Sequence, residues 1–178
     1  MEIPRVTEII APWSDFSKIP EATLQYAADR GSRTHEYCAR IARGEFVMSV
    51  DADCAPYVDS FRRWFDSQVL EVLLVEERLE DPGLGYTGQI DLLTQAKSDR
   101  LIWLVDLKTP VISYKQWSMQ IAAYRHLVEK KGFLPERTGS LQLSPEGKTP
   151  KMKWYQDSAK DFNAFLSALN VHNYMKGE

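Results

Sequence analysis

The sequence predicts an α/β fold, and three observations carry the prediction. Apolar residues recur at helical spacing in five stretches, 20–31, 30–44, 56–68, 113–131 and 157–173, each able to turn one face to a core. Runs rich in aliphatic and β-branched residues at 69–79, 86–94 and 101–107 follow one another with turn clusters between them, the pattern of a three-stranded meander. Two further strand candidates, 133–143 and 151–155, fall between the last two helices, so helices and strands are interleaved along the chain.

Each element has its own boundary chemistry. Residues 1–19 hold prolines at 4 and 12 among isolated apolar residues. They are expected to form an N-terminal arm that lays Trp13 and Phe16 on the body; residues 6–10 offer a first helical turn capped by Thr7. Pro20-Glu21-Ala22 starts a helix, with proline and an acid in the first turn, and Gly31 is its expected end. A second helix opens at Arg30-Gly31-Ser32-Arg33-Thr34-His35-Glu36, is carried by Tyr37, Cys38, Ile41 and Ala42, and stops at Gly44.

After a loop at 45–54, Tyr57, Phe61, Trp64 and Phe65 form an aromatic stripe read as core, with Arg62 and Arg63 off it. Asp81-Pro82-Gly83-Leu84-Gly85 turns the first strand into the second, and Thr109-Pro110 stops the third. Trp117, Ile121, Tyr124 and Val128 keep helical spacing up to Gly132. Lys148, Lys151 and Lys153 with Trp154 make a small basic and aromatic patch, read either as a solvated hairpin or as a contact with a DNA backbone. Asp157 caps a closing helix that carries Phe162, Phe165, Leu166 and Leu169.

With 178 residues one domain, 1–178, with a proper core is expected. No apolar run approaches the roughly 20 residues that span a bilayer, and the N-terminus lacks a basic segment followed by an apolar one; a cytoplasmic location follows as an expectation. Cys38 and Cys54, the two cysteines, read as buried free thiols, and two are too few for a four-cysteine iron–sulfur cluster. A formal net charge of −3 excludes coating of nucleic acid by bulk electrostatics. Binding to DNA then calls for a local basic surface and for metal ions that neutralise phosphate.

The chain centres on Gly88-Gln89-Ile90-Asp91 and Val105-Asp106-Leu107-Lys108. In a strand, residues i and i+2 share a face, so Asp106 and Lys108 project together while Leu107 turns into packed interior. The polar stretch 95–100 is short enough for a hairpin loop, which sets Asp91 opposite Asp106. Two carboxylates a few ångströms apart repel and raise each other's pKa unless a cation lies between them. Mg2+ or Mn2+ resolves that repulsion by taking carboxylate oxygens and keeping several waters. The lysine ammonium can then orient an attacking water or offset charge on a phosphate, parts suited to phosphodiester hydrolysis. Taken alone, Asp106-x-Lys108 also reads as a structural ion pair. Glu76 and Glu77 both lie on the first strand, and the register leaves open which of them reaches the site. Gln120 and Tyr124, at i and i+4, share a helix face and can bind a phosphate oxygen or position the lysine. His35, close to an apolar stripe, reads on its own as a hydrogen-bonded core residue.

In order along the chain, Arg30-Gly31-x-x-x-His35 on a helix, Gly88-x-x-Asp91 and Asp106-x-Lys108 on strands and Gln120-x-x-x-Tyr124 on a helix resemble the RecB-like branch of the PD-(D/E)XK nuclease superfamily. That branch includes nuclease domains of recombination helicases and small phage-encoded exonucleases. The likeness spans roughly residues 31–132. It implies a restriction-endonuclease-like core, a central mixed β-sheet flanked by helices, and a divalent ion, Mg2+ or Mn2+, held by His35, Asp91, Asp106 and the backbone carbonyl of Leu107. It also implies a catalytic role for Lys108 together with Asp91 and Asp106, substrate contact by Gln120 and Tyr124, and an upstream acid at Glu76. The third motif carries Asp106 where glutamate is common, and the cysteines of the iron–sulfur members are missing. The expected function is a metal-dependent DNA exonuclease of phage or bacterial recombination, repair or replication, with DNA as partner and no membrane. A homo-oligomer, or a recombination or replication partner protein, is left open. So are a structure- or site-specific endonuclease and a non-catalytic module that binds DNA ends. A metal enzyme acting on a small phosphorylated substrate is disfavoured, because the chain has no glycine-rich phosphate loop.

Overall fold

The computed structural model describes residues 3–14 and 16–177. In chain order the elements are α1 (Val6–Ile10), a 3-10 turn (Ala11–Trp13), α2 (Glu21–Ala42), α3 (Ala55–Gln68), β1 (Val69–Asp81), β2 (Tyr86–Ala96), β3 (Ile102–Lys108), α4 (Trp117–Lys130), β4 (Arg137–Gln142), β5 (Lys151–Tyr155) and α5 (Ser158–Lys176). The strands form one mixed sheet in sequence order. Neighbours are antiparallel except β3 and β4, which run parallel. A parallel pair needs a long crossover, and α4 supplies it.

Helices cover both faces. On one, Val6 and Ile9 of α1, Ile121, Tyr124 and Leu127 of α4 and Phe165 of α5 pack on Tyr86, Ile90, Leu93 and Leu104. On the other, Cys38 of α2 and Tyr57, Phe61 and Trp64 of α3 pack on Leu92, Trp103, Val105, Leu107 and Leu141. Along β3, Leu104 therefore faces α4 while Trp103, Val105 and Leu107 face α3, the alternation a doubly covered strand requires.

Besides the two register shifts near the start of β1, between Val69 and Glu71 and between Val72 and Leu74, the alternation fails at one further rung. Ile90 packs on the α4 side and Leu92 on the α3 side, although two residues apart they should share a face. On β1 the same reversal separates Val75, on the α3 side, from Leu79, on the α4 side. Between the pairs Val75↔Leu92 and Glu77↔Ile90 lie Glu76 and Asp91, and Glu76 sits at φ 48°. A non-glycine residue in that region costs of order 1–3 kcal/mol and is characteristic of functional sites.

Several boundaries differ from the sequence expectation. The stretch 20–44 holds one helix, Glu21–Ala42, not two. Gly31 lies inside α2, where an added Cβ would make an ordinary contact with Thr109 Oγ1 at 3.4 Å, so this glycine does not mark a helix end. Thr34, Cys38, Ala39 and Ala42 bury one face of α2, and that packing outweighs the 0.5–1 kcal/mol or so that glycine costs within a helix. α1 is capped by Arg5 paired with Glu8, not by Thr7, and its Val6 and Ile9 are fully buried, so this part of residues 1–19 belongs to the core. α4 begins at Trp117 rather than 113, and β4 covers only Arg137–Gln142.

Candidate active site

Pairing between β2 and β3 ends at Leu92↔Val105, so the strands part just where Asp91 and Asp106 come next. Lys108 O accepts from Leu143 N at 2.8 Å on the β4 side; strand alternation therefore turns the peptide groups of Leu107 toward β2. Its N–H donates to Asp91 Oδ2 at 2.7 Å, and its carbonyl faces the same gap. The carboxylate of Asp91 takes the place of the missing ladder partner and is fixed by doing so.

α2 brings His35 over this gap. Its Nδ1 lies 3.3 Å from Asp91 Oδ1 and 3.9 Å from Glu76 Oε1. One ligand atom from each of His35, Glu76 and Asp91 falls within 4.8 Å of the other two, a spacing that fits one hard cation between an imidazole and two carboxylates. Gln89 donates its side-chain amide to Glu76 Oε2 and orients it from the same strand as Asp91. The other such group among the described residues, Asp51, Asp53 and Cys54, is already engaged by Arg33, which bonds both aspartates.

Asp106 stands outside the three-residue group. It is almost fully buried, and its Oδ2 meets Lys108 Nζ at 2.8 Å, with Ser140 Oγ a longer 3.4 Å away. Lys108 Nζ also donates to Gln120 Oε1 at 2.8 Å and lies 5.4 Å from the Trp117 ring centre. Gln120 Nε2 in turn donates to Tyr124 OH at 3.0 Å. Gln120 and Tyr124, expected to touch substrate, are both buried, and their polar atoms serve the lysine and each other.

The electrostatics follow from this packing. Burial works against charge on His35, but Asp91 and Glu76 outweigh it and raise its pKa above the usual value. Burial also opposes ionisation of Asp91, yet His35, Lys108 and the Leu107 N–H together hold its pKa below the ordinary aspartate value. Glu76 is raised by burial and by the neighbouring Asp91, against the Gln89 amide. Asp106 is raised to about 6, first by burial, with Asp91 adding and Lys108 opposing. One acid is thus held ionised and two resist ionisation, the unrelieved state expected of carboxylates that share a site.

All of these residues line one cleft of about 1210 Å³ between α2, the β2–β3 gap and the start of α4. No protein-family model and no curated protein matches the chain. His35, Asp91, Asp106, Leu107, Lys108, Gln120 and Tyr124 are all brought to this cleft, and Glu76 joins them. Glu77 does not: it pairs with Lys131 at 2.6 Å. Sequence reasoning missed Gln89, Ser140 and Trp117 as supporting residues. Gln89, two positions from Asp91, carried the one available signal, whereas Trp117 is indistinguishable from the apolar stripe of its helix. The Lys148–Trp154 patch is largely used internally, with Lys148 on Glu146 and Lys153 on Ser113. Both cysteines are buried and free.

Proposed function

We propose that the chain is a divalent-metal-dependent DNA exonuclease of the RecB-like, restriction-endonuclease-like kind. The observation that carries this reading is the meeting of His35, Glu76 and Asp91 within 4.8 Å beside the Asp106–Lys108 pair in one open cleft. The donor set, one imidazole nitrogen and carboxylate oxygens, suits Mg2+ or Mn2+, with the Leu107 carbonyl as a further oxygen. When bound there, such an ion supplies Lewis acidity to a phosphate oxygen and to a water. Asp106 lies beside the cluster with its Oδ2 engaged by Lys108 and Ser140, which leaves Oδ1 as the oxygen it would offer an ion.

The chain's own residues perform the remaining tasks. A lysine ammonium has three donor hydrogens; Asp106 and Gln120 take two, and one remains for a water or for an oxygen of the phosphate under attack. Tyr124 holds Gln120, and the Trp117 ring flanks the ammonium, so Lys108 is pre-aimed before substrate arrives. A fixed charge of this kind stabilises developing negative charge without reorganisation. His35 and Asp91 hold their positions through each other and through the Leu107 N–H.

The test is digestion of end-labelled linear DNA beside a closed circle in Mn2+. An exonuclease degrades the first and spares the second; cutting of the circle instead selects the endonuclease reading. Lys108→Ala should lower cleavage by at least about 100-fold, the scale of losing one pre-aimed donor, with the circular dichroism spectrum unchanged. An undiminished rate in that variant overturns the role of Lys108. No cleavage of either DNA by the unaltered protein overturns the function.

A further inference from the structure

The lining of the cleft is more cationic than the chain that forms it. Five of its side chains are Lys or Arg and four are Asp or Glu, in a protein of formal charge −3. Three of the cations are committed: Arg5 to Glu8 at 2.6 Å, Lys108 to Asp106 and Gln120, and Arg30 to the faces of Tyr57 and Tyr26, 4.9 and 5.7 Å from the ring centres. Arg43 and Arg78 are different. Both are exposed, both line the cleft, and neither guanidinium makes a hydrogen bond or ion pair with any of the described residues.

Their placement is specific. Arg43 follows Ala42 as the C-cap of α2 and continues the cleft-facing series His35, Ala39, Arg43 at four-residue steps, about 12 Å along the axis from His35. Arg78 pairs in register with Gln89, the residue whose amide holds Glu76, and stands about 7 Å along β1 from Glu76. A helix and a strand thus bring one arginine each to the cleft, Arg43 near enough to Glu76 to act on its charge and Arg78 on the strand that carries Glu76. The charge of Arg43 eases ionisation of Glu76, yet no group of the described residues fills either guanidinium fork, and a planar fork matches a phosphate's oxygens.

We propose that Arg43 and Arg78 clamp a non-scissile phosphate of a DNA strand, fixing the strand so that the neighbouring phosphate lies over His35, Glu76 and Asp91. The proposal rests on the DNA reading above and adds the backbone register to it. It makes these two residues binding and positioning groups rather than catalytic ones, and it predicts recognition of the charged backbone without regard to base.

The experiment measures binding of a fluorescein-labelled single-stranded oligonucleotide to the full chain in Ca2+, by anisotropy, over a series of salt concentrations. Each phosphate contact on a single strand contributes about 0.7 to the slope of log affinity against log salt. Arg43→Ala combined with Arg78→Ala should therefore flatten the slope by about 1.4 and weaken binding at least 10-fold at low salt. Arg43→Lys with Arg78→Lys should retain most of the slope while losing affinity. A strand made neutral by methylphosphonate linkages should bind the unaltered chain and the double alanine variant alike. An unchanged slope in the double alanine variant, or no binding by the unaltered chain, overturns the clamp. Its failure is separable from failure of the nuclease reading: cleavage by the unaltered chain with an unchanged slope removes the clamp alone, and a flattened slope without cleavage removes hydrolysis alone.

Discussion

At Gly88 the backbone of β2 passes so close to α4 that an added Cβ would lie 2.7 Å from Tyr124 Cε1 and 2.8 Å from Cδ1. Tyr124 holds Gln120, and Gln120 holds Lys108, so the absence of one methyl group governs where the ammonium points. Gly88→Ala should destabilise the fold by about 1–3 kcal/mol, the usual scale of overpacking, and should lower cleavage as well. Adding Tyr124→Leu relieves the crowding, so denaturant melts should recover while turnover does not; recovery of both together would disprove the relay. At this scale the sequence was most legible where chemistry is unusual. Asp91, Asp106 and Lys108 declare themselves, and His35 became readable only through its place in an ordered set of motifs. Glu76 against Glu77 was not readable, because the choice depends on a reversal of faces that no period-two pattern encodes.

Among the elements, the β1–β2 hairpin carries the site and is itself pinned by Asp81. This nearly fully buried acid accepts from the Gly83 and Leu84 amides, from Lys130 Nζ at 2.7 Å and pairs with His126 Nε2 at 2.9 Å, tying the turn to α4. Burial opposes its charge, but Lys130, His126 and the two amides prevail and hold its carboxyl well below the usual range. A depressed folded pKa stabilises the chain above the unfolded value of about 4, and that contribution is lost as pH falls toward the folded one. Asp81→Asn should cost about 2–3 kcal/mol at neutral pH, and the gap between the two proteins should narrow steadily below about pH 4; a constant gap in urea melts across that range would refute the assignment. The three-stranded meander was legible because turn residues punctuate it. The continuity of α2 through Gly31 was not, since a glycine carried through a helix by the packing of that helix's buried face looks the same in sequence as a helix stop. The late start of α4 was equally hidden, because its apolar spacing extends into the preceding loop.

Across the whole molecule the cleft concentrates unfavourable charge. Glu76 resists ionisation because of its burial and of Asp91, so its raised pKa means that stability is lost as pH rises through that value. Glu76→Gln should therefore melt at a higher temperature than the unaltered chain in chelator at neutral pH. Mn2+ should reverse the order, since a ligand at 100 times its dissociation constant adds about 2.7 kcal/mol to whichever chain binds it. Asp91→Asn should show no such gain; a rise in its melting temperature equal to that of the unaltered protein would remove the cation from this cluster. The mixed sheet and its two helical layers follow from the interleaving of elements in the sequence, while the parting of β2 and β3 that opens the cleft is a property of the assembled sheet alone.

The turnover of both strands at the rung of Glu76 and Asp91 also limits how the hairpin can vary. Sliding either strand by one residue would set the left-handed kink of one against a straight segment of the other, and would carry a carboxylate into the oily layer beneath α4. Extra residues are taken up at the two register shifts near the start of β1 and at the bend at 82–85, whereas the rungs from Val75↔Leu92 to Asp81↔Tyr86 keep a single register.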